Sequence, residues 1–363
     1  MGSLKRSLAN NILTSGKFDA TDLTGNLPSS NIANASMTSI TAFPASAGSA
    51  IALVASDPPS ATVGDVWFNT TSNALKYAGV GVGSWASGNS MNTARGTLAG
   101  CGTQTSALGS GGSPVATNGT VTEEYDGNSW TSSNPLNTSR YWLAGAGTQT
   151  AGLTFSGELA PGATTGATEE YDGNSWTSVN SMNTPRYASA ANGTQTAGLI
   201  FGGGDPAPAA QATEEYDGTS WANSGNLNTP RYILGGAGTQ TAGLAFGGFA
   251  TPGVTGTTEE YNGATWATSP GSLNTTRYGI TGAGIQTAAL GFGGLPAPGG
   301  ASSSATEEYD GTSWTTSSGS LSTARSSIGG AGNTSAALAF GGTGGATEEW
   351  TVSAFTAKTI TTA

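Results

Sequence analysis

Histidine is absent from this chain, and cysteine occurs once, as Cys101. The chain therefore cannot form an internal disulfide or a histidine-based metal site, and it has no histidine to act as a catalytic base. Only 9% of the residues are charged, and the net charge of −11 argues against nucleic-acid binding, which needs a basic surface. No apolar run is long enough to span a membrane, and residues 1–20 lack the apolar core of a signal peptide. We therefore expect neither nucleic-acid binding nor membrane insertion.

The few arginines are regularly spaced. Apart from Arg6 they follow one another at intervals of 45, 46, 45, 46 and 48 residues, and they are Arg95, Arg140, Arg186, Arg231, Arg277 and Arg325. Each lies in a similar pattern, in which L-N-T-x-R-Y is followed by G-A-G-T-Q-T, L-A-F-G-G, a variable stretch and T-E-E-Y-D-G-x-S-W. A period near 45 residues with several short strand-like runs is typical of solenoids and propellers.

Four strands can be placed in each repeat. The first follows the arginine and is rich in Gly and Ala, and the second is the apolar run that ends in Gly-Gly. The third is T-E-E-Y, and the fourth carries a tryptophan after an Asp-Gly hairpin. Four strands form one blade of a propeller, in which small residues suit the crowded innermost strand. The predicted fold class is all-β, a β-propeller.

The ends of the repeat region predict how many blades there are. Five fourth strands carry a repeat tryptophan, and these are Trp130, Trp176, Trp221, Trp266 and Trp314. The sixth repeat ends at Thr347-Glu348-Glu349-Trp350 with no tryptophan strand after it, and Trp85 precedes the first repeat. We therefore predict six blades, with the N- and C-terminal strands sharing one. Seven blades are the alternative, because Leu75-Lys76-Tyr77 could also serve as a third strand.

Composition divides the chain into three regions. Residues 1–60 form an extended N-terminal segment, which can include a short amphipathic helix with Leu4, Leu8 and Ile12 on one face. Residues 61–90 are read as a small β-meander with the ring-closing strand, and residues 91–363 as the propeller.

The repeats resemble a known family. The Gly-Gly doublet, the Tyr-Asp before the hairpin, the tryptophan and the following arginine look like the kelch repeat of β-propellers, over roughly residues 83–350. Kelch propellers include scaffolds, adhesins and oxidases, so the resemblance implies a fold and leaves the function open. The copper oxidases among them need histidine, which this chain lacks.

A second resemblance lies upstream of the repeats. The segments Gly16-Lys17-Phe18-Asp19-Ala20 through Leu27-Pro28-Ser29-Ser30-Asn31-Ile32, and Gly64-Asp65-Val66-Trp67-Phe68-Asn69-Thr70-Thr71, are similar to N-terminal portions of bacteriophage tail-fibre and related virion proteins, including those of marine cyanophages. This resemblance implies a protein of the phage particle surface, in the tail, that is oligomeric there and binds other virion proteins through residues 1–60.

Six Glu-Glu pairs accompany the six repeat arginines. Neighbouring residues of a strand point to opposite faces, so one glutamate of each pair can reach the arginine and tie strands or blades together. We assign structural roles to the repeat arginines, to the repeat tryptophans and to the second glutamate of five pairs, namely Glu124, Glu170, Glu215, Glu260 and Glu308. An anion-binding ring of arginines is the alternative. A catalytic pair would occur once, with neighbours that perturb it, so we predict no enzyme. No Asp-x-Asp-x-Asp loop occurs, and we predict no metal ion or cofactor.

The loops between the second and third strands differ from repeat to repeat, whereas the other turns within the repeats barely change. Strands alternate in direction, so these variable loops should share one face, which is the geometry of a recognition surface. The candidate binding residues are Glu158, Asp205, Phe249 and Leu295. The alternative is that the loops vary because nothing constrains them.

The function predicted from these observations is that of a tail-fibre-like or adhesin-like virion protein. Its propeller would bind a host cell-surface glycan or protein, or a neighbouring virion subunit. One alternative is a capsid or baseplate decoration protein without a receptor role. Another is a hydrolase that acts on surface polysaccharide through Glu158 and Asp205.

Overall fold

The computed structural model describes residues 52–62, 64–204, 211–342 and 344–360. These residues form an all-β, propeller-like fold dominated by four-stranded sheets, which confirms the predicted all-β class. They contain one short helix, α1 (Val115–Asn118), and no helix long and apolar enough to cross a membrane. The helix predicted around Leu4, Leu8 and Ile12 lies outside the described residues, as does most of the predicted attachment segment.

The chain divides into two compact units. The larger unit is Gly83–Thr351, and the smaller unit combines residues 1–82 with residues 352–363. The division differs from the predicted boundaries at both ends. The strand that contains Trp85 belongs to the repeat unit, and the last residues of the chain do not.

The described residues of the smaller unit contain one four-stranded sheet, which we call the terminal sheet. Its strands are β1 (Ala52–Val54), β2 (Val66–Asn69), β3 (Ala74–Val80) and β33 (Phe355–Thr359). β1 pairs parallel with β2, and β3 pairs antiparallel with β2 and β33. Trp67 is buried in its core, 6.1 Å from the Phe355 ring. Leu75-Lys76-Tyr77 therefore belong to β3 of this sheet and not to a further repeat.

The larger unit contains six four-stranded antiparallel sheets among its described residues, numbered here by repeat. Sheet 1 has β5 (Ala99–Thr103), β6 (Ser106–Ser110), β7 (Thr122–Tyr125) and β8 (Trp130–Ser133). Sheet 2 has β9 (Ala144–Gly147), β10 (Gly152–Phe155), β13 (Thr168–Tyr171) and β14 (Trp176–Val179). Sheet 3 has β15 (Ala190–Thr194), β16 (Ala197–Phe201), β17 (Thr213–Tyr216) and β18 (Trp221–Ser224).

The last three sheets repeat this order of strands. Sheet 4 has β20 (Gly235–Gly238), β21 (Gly243–Phe246), β24 (Thr258–Tyr261) and β25 (Trp266–Thr268). Sheet 5 has β26 (Thr281–Ile285), β27 (Ala288–Phe292), β28 (Thr306–Tyr309) and β29 (Trp314–Thr316). Sheet 6 has β30 (Gly329–Gly332), β31 (Ala336–Phe340), β32 (Thr347–Val352) and, as its outer strand, β4 (Gly83–Gly88).

Short strands extend two of the variable loops. β11 (Glu158–Leu159) pairs with β12 (Ala163–Thr164) in the loop between β10 and β13 of sheet 2. β22 (Phe249–Ala250) pairs with both β19 (Arg231–Tyr232) and β23 (Gly253–Val254) at sheet 4.

The first strands of neighbouring sheets approach one another so closely that they need glycine. A Cβ atom on Gly282 would lie 2.2 Å from the carbonyl oxygen of Gly236 in the preceding sheet. A Cβ atom on Gly236 would in turn lie 2.9 Å from the Phe201 ring of the sheet before that. The Gly- and Ala-rich composition of the first strands follows from this contact, because any larger side chain would push the sheets apart.

A tryptophan joins each sheet to the sheet before it. The Trp221 ring lies 4.8 Å from the Phe155 ring, and its indole N–H donates a hydrogen bond of 3.0 Å to the Thr168 hydroxyl. The same hydrogen bond joins Trp130 to Thr347, Trp176 to Thr122, Trp266 to Thr213, Trp314 to Thr258 and Trp85 to Thr306. Trp85 in β4 thus occupies the tryptophan position of sheet 6.

Candidate ligand-binding face

The repeat arginines are buried in ion pairs. Arg140 Nη2 lies 3.0 Å from Glu169 Oε1, and neither side chain is exposed. The same carboxylate accepts a hydrogen bond of 2.7 Å from the Asn137 backbone N–H. Equivalent pairs are Arg95–Glu123, Arg186–Glu214, Arg231–Glu259, Arg277–Glu307 and Arg325–Glu348. Because every repeat arginine is buried beside a carboxylate, the arginines do not form an accessible ring for anions.

The glutamates that we assigned to the framework from sequence have a different role from the arginine partners. The arginine pairs with the first glutamate of each doublet, whereas the second glutamate accepts a hydrogen bond from a tyrosine of the next sheet. Tyr216 donates such a bond of 2.8 Å to Glu170. The other pairs are Tyr171–Glu124, Tyr261–Glu215, Tyr309–Glu260 and Tyr125–Glu349. Glu308 lacks this partner because Trp350, which has no hydroxyl, replaces the tyrosine of sheet 6.

One end of each sheet, here called the turn edge, carries the turn between the first and second strands and, in sheets 1 to 5, the turn between the third and fourth strands. At this edge Gln195 Nε2 donates a hydrogen bond of 2.7 Å to the Tyr171 carbonyl of the preceding sheet. Gln149, Gln240, Gln286 and Gln104 make the equivalent contact. In the hairpins, Asp217 Oδ1 accepts backbone hydrogen bonds from Thr219 and Ser220 at 2.8 and 2.7 Å. The glutamine and aspartate side chains of these turns therefore make hydrogen bonds within the fold.

At the opposite end, here called the loop edge, six backbone hydrogen bonds link successive repeats. The Trp142 N–H donates to the Thr97 carbonyl at 2.8 Å, and the Ala188 N–H donates to the Trp142 carbonyl at 2.9 Å. The series continues through Ile233, Gly279 and Ser327 and returns to Thr97. These six residues, which we call the axial ring, each lie two positions after a repeat arginine and have φ between 52° and 62°. They line a cavity of about 90 Å³.

Beside the axial ring, in sheets 1 to 5, the residue that follows the repeat arginine pairs with the residue that follows the Gly-Gly doublet (Ser-Gly in sheet 2). Tyr141 and Glu158 exchange two main-chain hydrogen bonds of 3.1 and 2.8 Å, and Tyr278 and Leu295 exchange two of 3.0 and 2.7 Å. We call these couples facing pairs. Among the described residues they are Gly96/Ser113, Tyr141/Glu158, Tyr187/Gly204, Tyr232/Phe249 and Tyr278/Leu295.

Four consecutive facing pairs contribute an arc of half-buried aromatic rings. This aromatic arc consists of Tyr141, Tyr187, Tyr232, Phe249 and Tyr278. The Phe249 ring centroid lies 5.5 Å from that of Tyr232 and 5.8 Å from that of Tyr278, so Phe249 bridges two sheets. Aromatic rings that remain partly exposed can pack against an apolar ligand surface while their hydroxyls bind its polar groups.

Glu158 gives this arc a negative charge. The interaction of its carboxylate with the Tyr141 hydroxyl, followed by burial, raises the pKa of Tyr141 to about 12. Burial, the negative charge of Glu158 and the neighbouring Tyr232 also raise the pKa of Tyr187. Both phenols therefore keep their protons at neutral pH and can donate hydrogen bonds.

Three of the four predicted binding residues, Glu158, Phe249 and Leu295, lie in facing pairs at the loop edge. Asp205 lies outside the described residues, so its distance from Glu158 is not described. The tyrosines of the facing pairs were not predicted as site residues. Their signal in the sequence is that tyrosine follows the arginine in four repeats, whereas Gly96 and Ser326 follow it in the other two.

Other reactive groups do not assemble into a centre. Among the described residues, no three His, Cys, Asp or Glu side chains lie close enough together to hold a metal ion. Burial raises the pKa of Cys101 to about 12, so its thiol stays protonated at neutral pH and is a poor nucleophile.

Comparison with known protein families and with curated proteins finds no matching family and no matching relative. The resemblances to kelch repeats and to virion proteins accordingly depend on the motif residues given above and stay predictions.

Proposed function

We propose that Gly83–Thr351 form a closed, six-bladed, kelch-like β-propeller that serves as the binding module of a bacteriophage virion protein of the tail-fibre or adhesin type. The six sheets are the blades in this proposal. The loop edge binds the ligand, and the N-terminal segment attaches the protein to the particle.

Two contacts support a closed ring of six blades. The backbone hydrogen bonds of the axial ring run through all six repeats and return to the first, which requires sheet 6 to adjoin sheet 1. Trp130 of sheet 1 also donates its indole N–H to Thr347 of sheet 6 at 2.8 Å. Because β4 supplies the outer strand of sheet 6, the first and last strands of the unit share one blade, a common way to close a propeller.

The contrast between the two edges carries the proposal of a binding module. At the turn edge the glutamine and aspartate side chains are used within the framework, and the turns hardly vary. At the loop edge the facing pairs keep the same main-chain hydrogen bonds while their side chains range from glycine to phenylalanine. Variation on a rigid scaffold is typical of recognition surfaces, since the scaffold holds its shape whichever side chains are present.

The assignment to a virion is supported by the sequence alone, through the segments at residues 16–32 and 64–71. The second segment includes Trp67 and Asn69 of the terminal sheet, both of which hydrogen-bond to Asp57. In this proposal residues 1–60 supply the contact with other virion proteins, and their composition, rich in Ser, Asn, Ala and Thr after residue 20, is typical of segments that bind partner proteins.

Deletion of residues 1–51 from the gene of the phage that encodes this chain tests the attachment. The deletion leaves β1 and Asp57 in place, so the purified variant should keep the β-sheet signal in circular dichroism and the melting temperature of the full chain. Mass spectrometry of purified particles should then detect the full chain and not the variant. Equal incorporation of both would contradict the attachment proposal.

A second measurement separates an adhesin from a decoration protein. The purified full chain, added in excess to host cells, should reduce adsorption of the phage by competing for its receptor. A chain that is present in particles but leaves adsorption unchanged would be a capsid or baseplate decoration protein.

A further inference from the structure

The tyrosines of the aromatic arc are not needed for the framework. In sheet 1, Gly96 and Ser113 exchange the same two main-chain hydrogen bonds, of 3.4 and 2.8 Å, without a side chain at residue 96. In sheet 6, Ser326 occupies the tyrosine position, and the axial-ring bonds on either side of Ser327 are intact. Since the fold accepts glycine or serine at this position, the main-chain hydrogen bonds of the facing pairs do not depend on the four tyrosine side chains. The tyrosines instead determine which groups the surface presents.

The arc has a gap and a defined centre. Tyrosine occupies this position in four consecutive sheets, and the small residues Gly96 and Ser326 occupy it in the two adjoining sheets. Tyr187 lies near the middle, between Glu158 on one side and Tyr232 on the other. Its partner Gly204 has no side chain, and a Cβ atom there would lie 3.0 Å from the Tyr187 ring. The glycine therefore lets the tyrosine ring lie directly against the main chain.

The charge of this unit restricts what the arc can bind. Residues 83–351 contain no lysine, and their six arginines are all buried. The loop edge consequently has no exposed cation to neutralise a phosphate, sulfate or carboxylate, while Glu158 would repel one. Anionic ligands such as nucleic acids and sulfated or sialylated glycans are disfavoured.

An uncharged sugar chain fits the remaining chemistry. The C–H faces of a pyranose ring pack on aromatic rings, and its hydroxyls donate to a carboxylate and exchange hydrogen bonds with phenols. An arc across four sheets offers contacts to several successive sugar rings, whereas a small pocket would hold one. We infer that the aromatic arc and Glu158 bind a neutral oligosaccharide. This inference rests on the proposed binding function of the loop edge and names its ligand class.

The test uses the full chain and a printed glycan array that carries neutral hexose and N-acetylhexosamine oligosaccharides beside their sulfated and sialylated counterparts. Binding to neutral members is expected, and the tightest of them is then titrated by calorimetry. Tyr187→Ser and Glu158→Gln should each weaken this binding about tenfold or more, as for an aromatic or a charged contact near the centre of an interface. Tyr187→Ser should keep the melting temperature of the parent, because serine occupies the equivalent position at residue 326. Glu158→Gln should keep it too, because the Tyr141/Glu158 couple is held by main-chain hydrogen bonds.

Ile285→Thr is the matched control. Ile285 is 53% exposed at the turn edge, where four other repeats have threonine at the same position, so its replacement should leave the titration unchanged.

Absence of binding to every neutral glycan, preference for the sulfated or sialylated members, or undiminished binding by Tyr187→Ser would each overturn the inference. If the full chain competes with phage adsorption but binds no neutral glycan, the ligand inference fails and the adhesin proposal stands. If it binds neutral glycans but residues 1–51 prove dispensable for incorporation, the ligand inference stands and the attachment proposal fails.

Discussion

Glu169 and Glu170 are adjacent in β13 and have different partners. Glu169 is completely buried and pairs with Arg140 of the same repeat, whereas Glu170 accepts a hydrogen bond from Tyr216 of the next sheet. The alternation of side chains along a strand produces this division. This dipeptide thereby makes one ion pair inside its own repeat and one hydrogen bond to the neighbouring sheet.

Substitution of these two glutamates should give unequal losses of stability. Glu169→Ala leaves the Arg140 charge buried without a partner, and removing one member of a buried ion pair costs about 3–5 kcal/mol. Glu170→Ala removes one hydrogen bond and should cost about 1 kcal/mol. Urea unfolding followed by circular dichroism measures both free energies. Equal losses, or a larger loss for Glu170→Ala, would contradict the assignment of the buried pair.

Trp85 should matter to the repeat unit although it lies outside the repeats in sequence. Its ring lies 5.0 Å from that of Phe292 and 5.4 Å from that of Trp350. Trp85→Ala should lower the free energy of unfolding by about 2–4 kcal/mol, which is reduced from the usual loss for a buried tryptophan because Trp85 is half-buried. Leu53→Ser is the control, since Leu53 is 62% exposed and should tolerate a polar residue. A Trp85→Ala variant with the parental unfolding midpoint would show that β4 does not stabilise sheet 6.

Alkaline pH should unfold the repeat unit within a defined window. Burial, followed by the hydrogen bond to Glu124, raises the pKa of Tyr171 to about 12, and Tyr261 and Tyr309 have the same value for corresponding reasons. The folded state thus holds these phenolic protons more tightly than the unfolded chain, in which the pKa is about 10. The stability gained is complete below pH ~10 and is lost as the pH rises through 12.

Absorbance at 295 nm, recorded with circular dichroism, follows phenolate formation and unfolding together. The phenolate signal of these three tyrosines should develop well above pH 10 and coincide with loss of the β spectrum. Complete ionisation of all tyrosines near pH 10 in a folded protein would contradict this prediction.

The terminal sheet should lose stability only at strongly acidic pH. Asp57 accepts hydrogen bonds from Lys76 Nζ at 2.8 Å, Asn69 Nδ2 at 2.7 Å and Trp67 Nε1 at 3.0 Å. These contacts, with Lys76 first, lower the pKa of Asp57 to about 2. Because the folded pKa lies below the ordinary value, the stability is present above pH ~4 and is lost as the pH falls through 2.

The indole N–H resonance of Trp67 reports this titration by NMR. Its chemical shift should stay constant from pH 6 to pH 3 and change around pH 2, and Asp57→Asn should abolish the change. A midpoint near pH 4 would show that Asp57 has no stabilising partners in the folded protein.

The sequence predicted the strand order within the repeats because each strand has its own local signal. Gly and Ala mark the first strand, Asp-Gly marks the hairpin, and tryptophan marks the fourth strand. The missing tryptophan of the last repeat also indicated that Trp85 would fill that position. The sequence could not indicate which glutamate reaches the arginine, since strand alternation separates the two side chains without fixing which one faces inward.

Other features depended on contacts between distant segments. Phe355–Thr359 carry no repeat signal, so their pairing with β3 could not be predicted and the repeat region was extended to the last residue. The loop candidates Glu158, Phe249 and Leu295 were found because they break the repeat pattern. Tyr141, Tyr187, Tyr232 and Tyr278 were missed because they conform to it, and only the pairing across the loop edge places them beside those candidates.

In the facing pairs, main-chain atoms determine the shape of the surface, and side chains determine its chemical character. Main-chain atoms, which every amino acid except proline supplies in full, make the hydrogen bonds that hold each couple, as in the Tyr187/Gly204 pair. Substitution of both residues of one facing pair therefore leaves the main-chain geometry unchanged. In the proposed binding module, substitutions confined to one couple would change the ligand contacts and leave the fold unaltered.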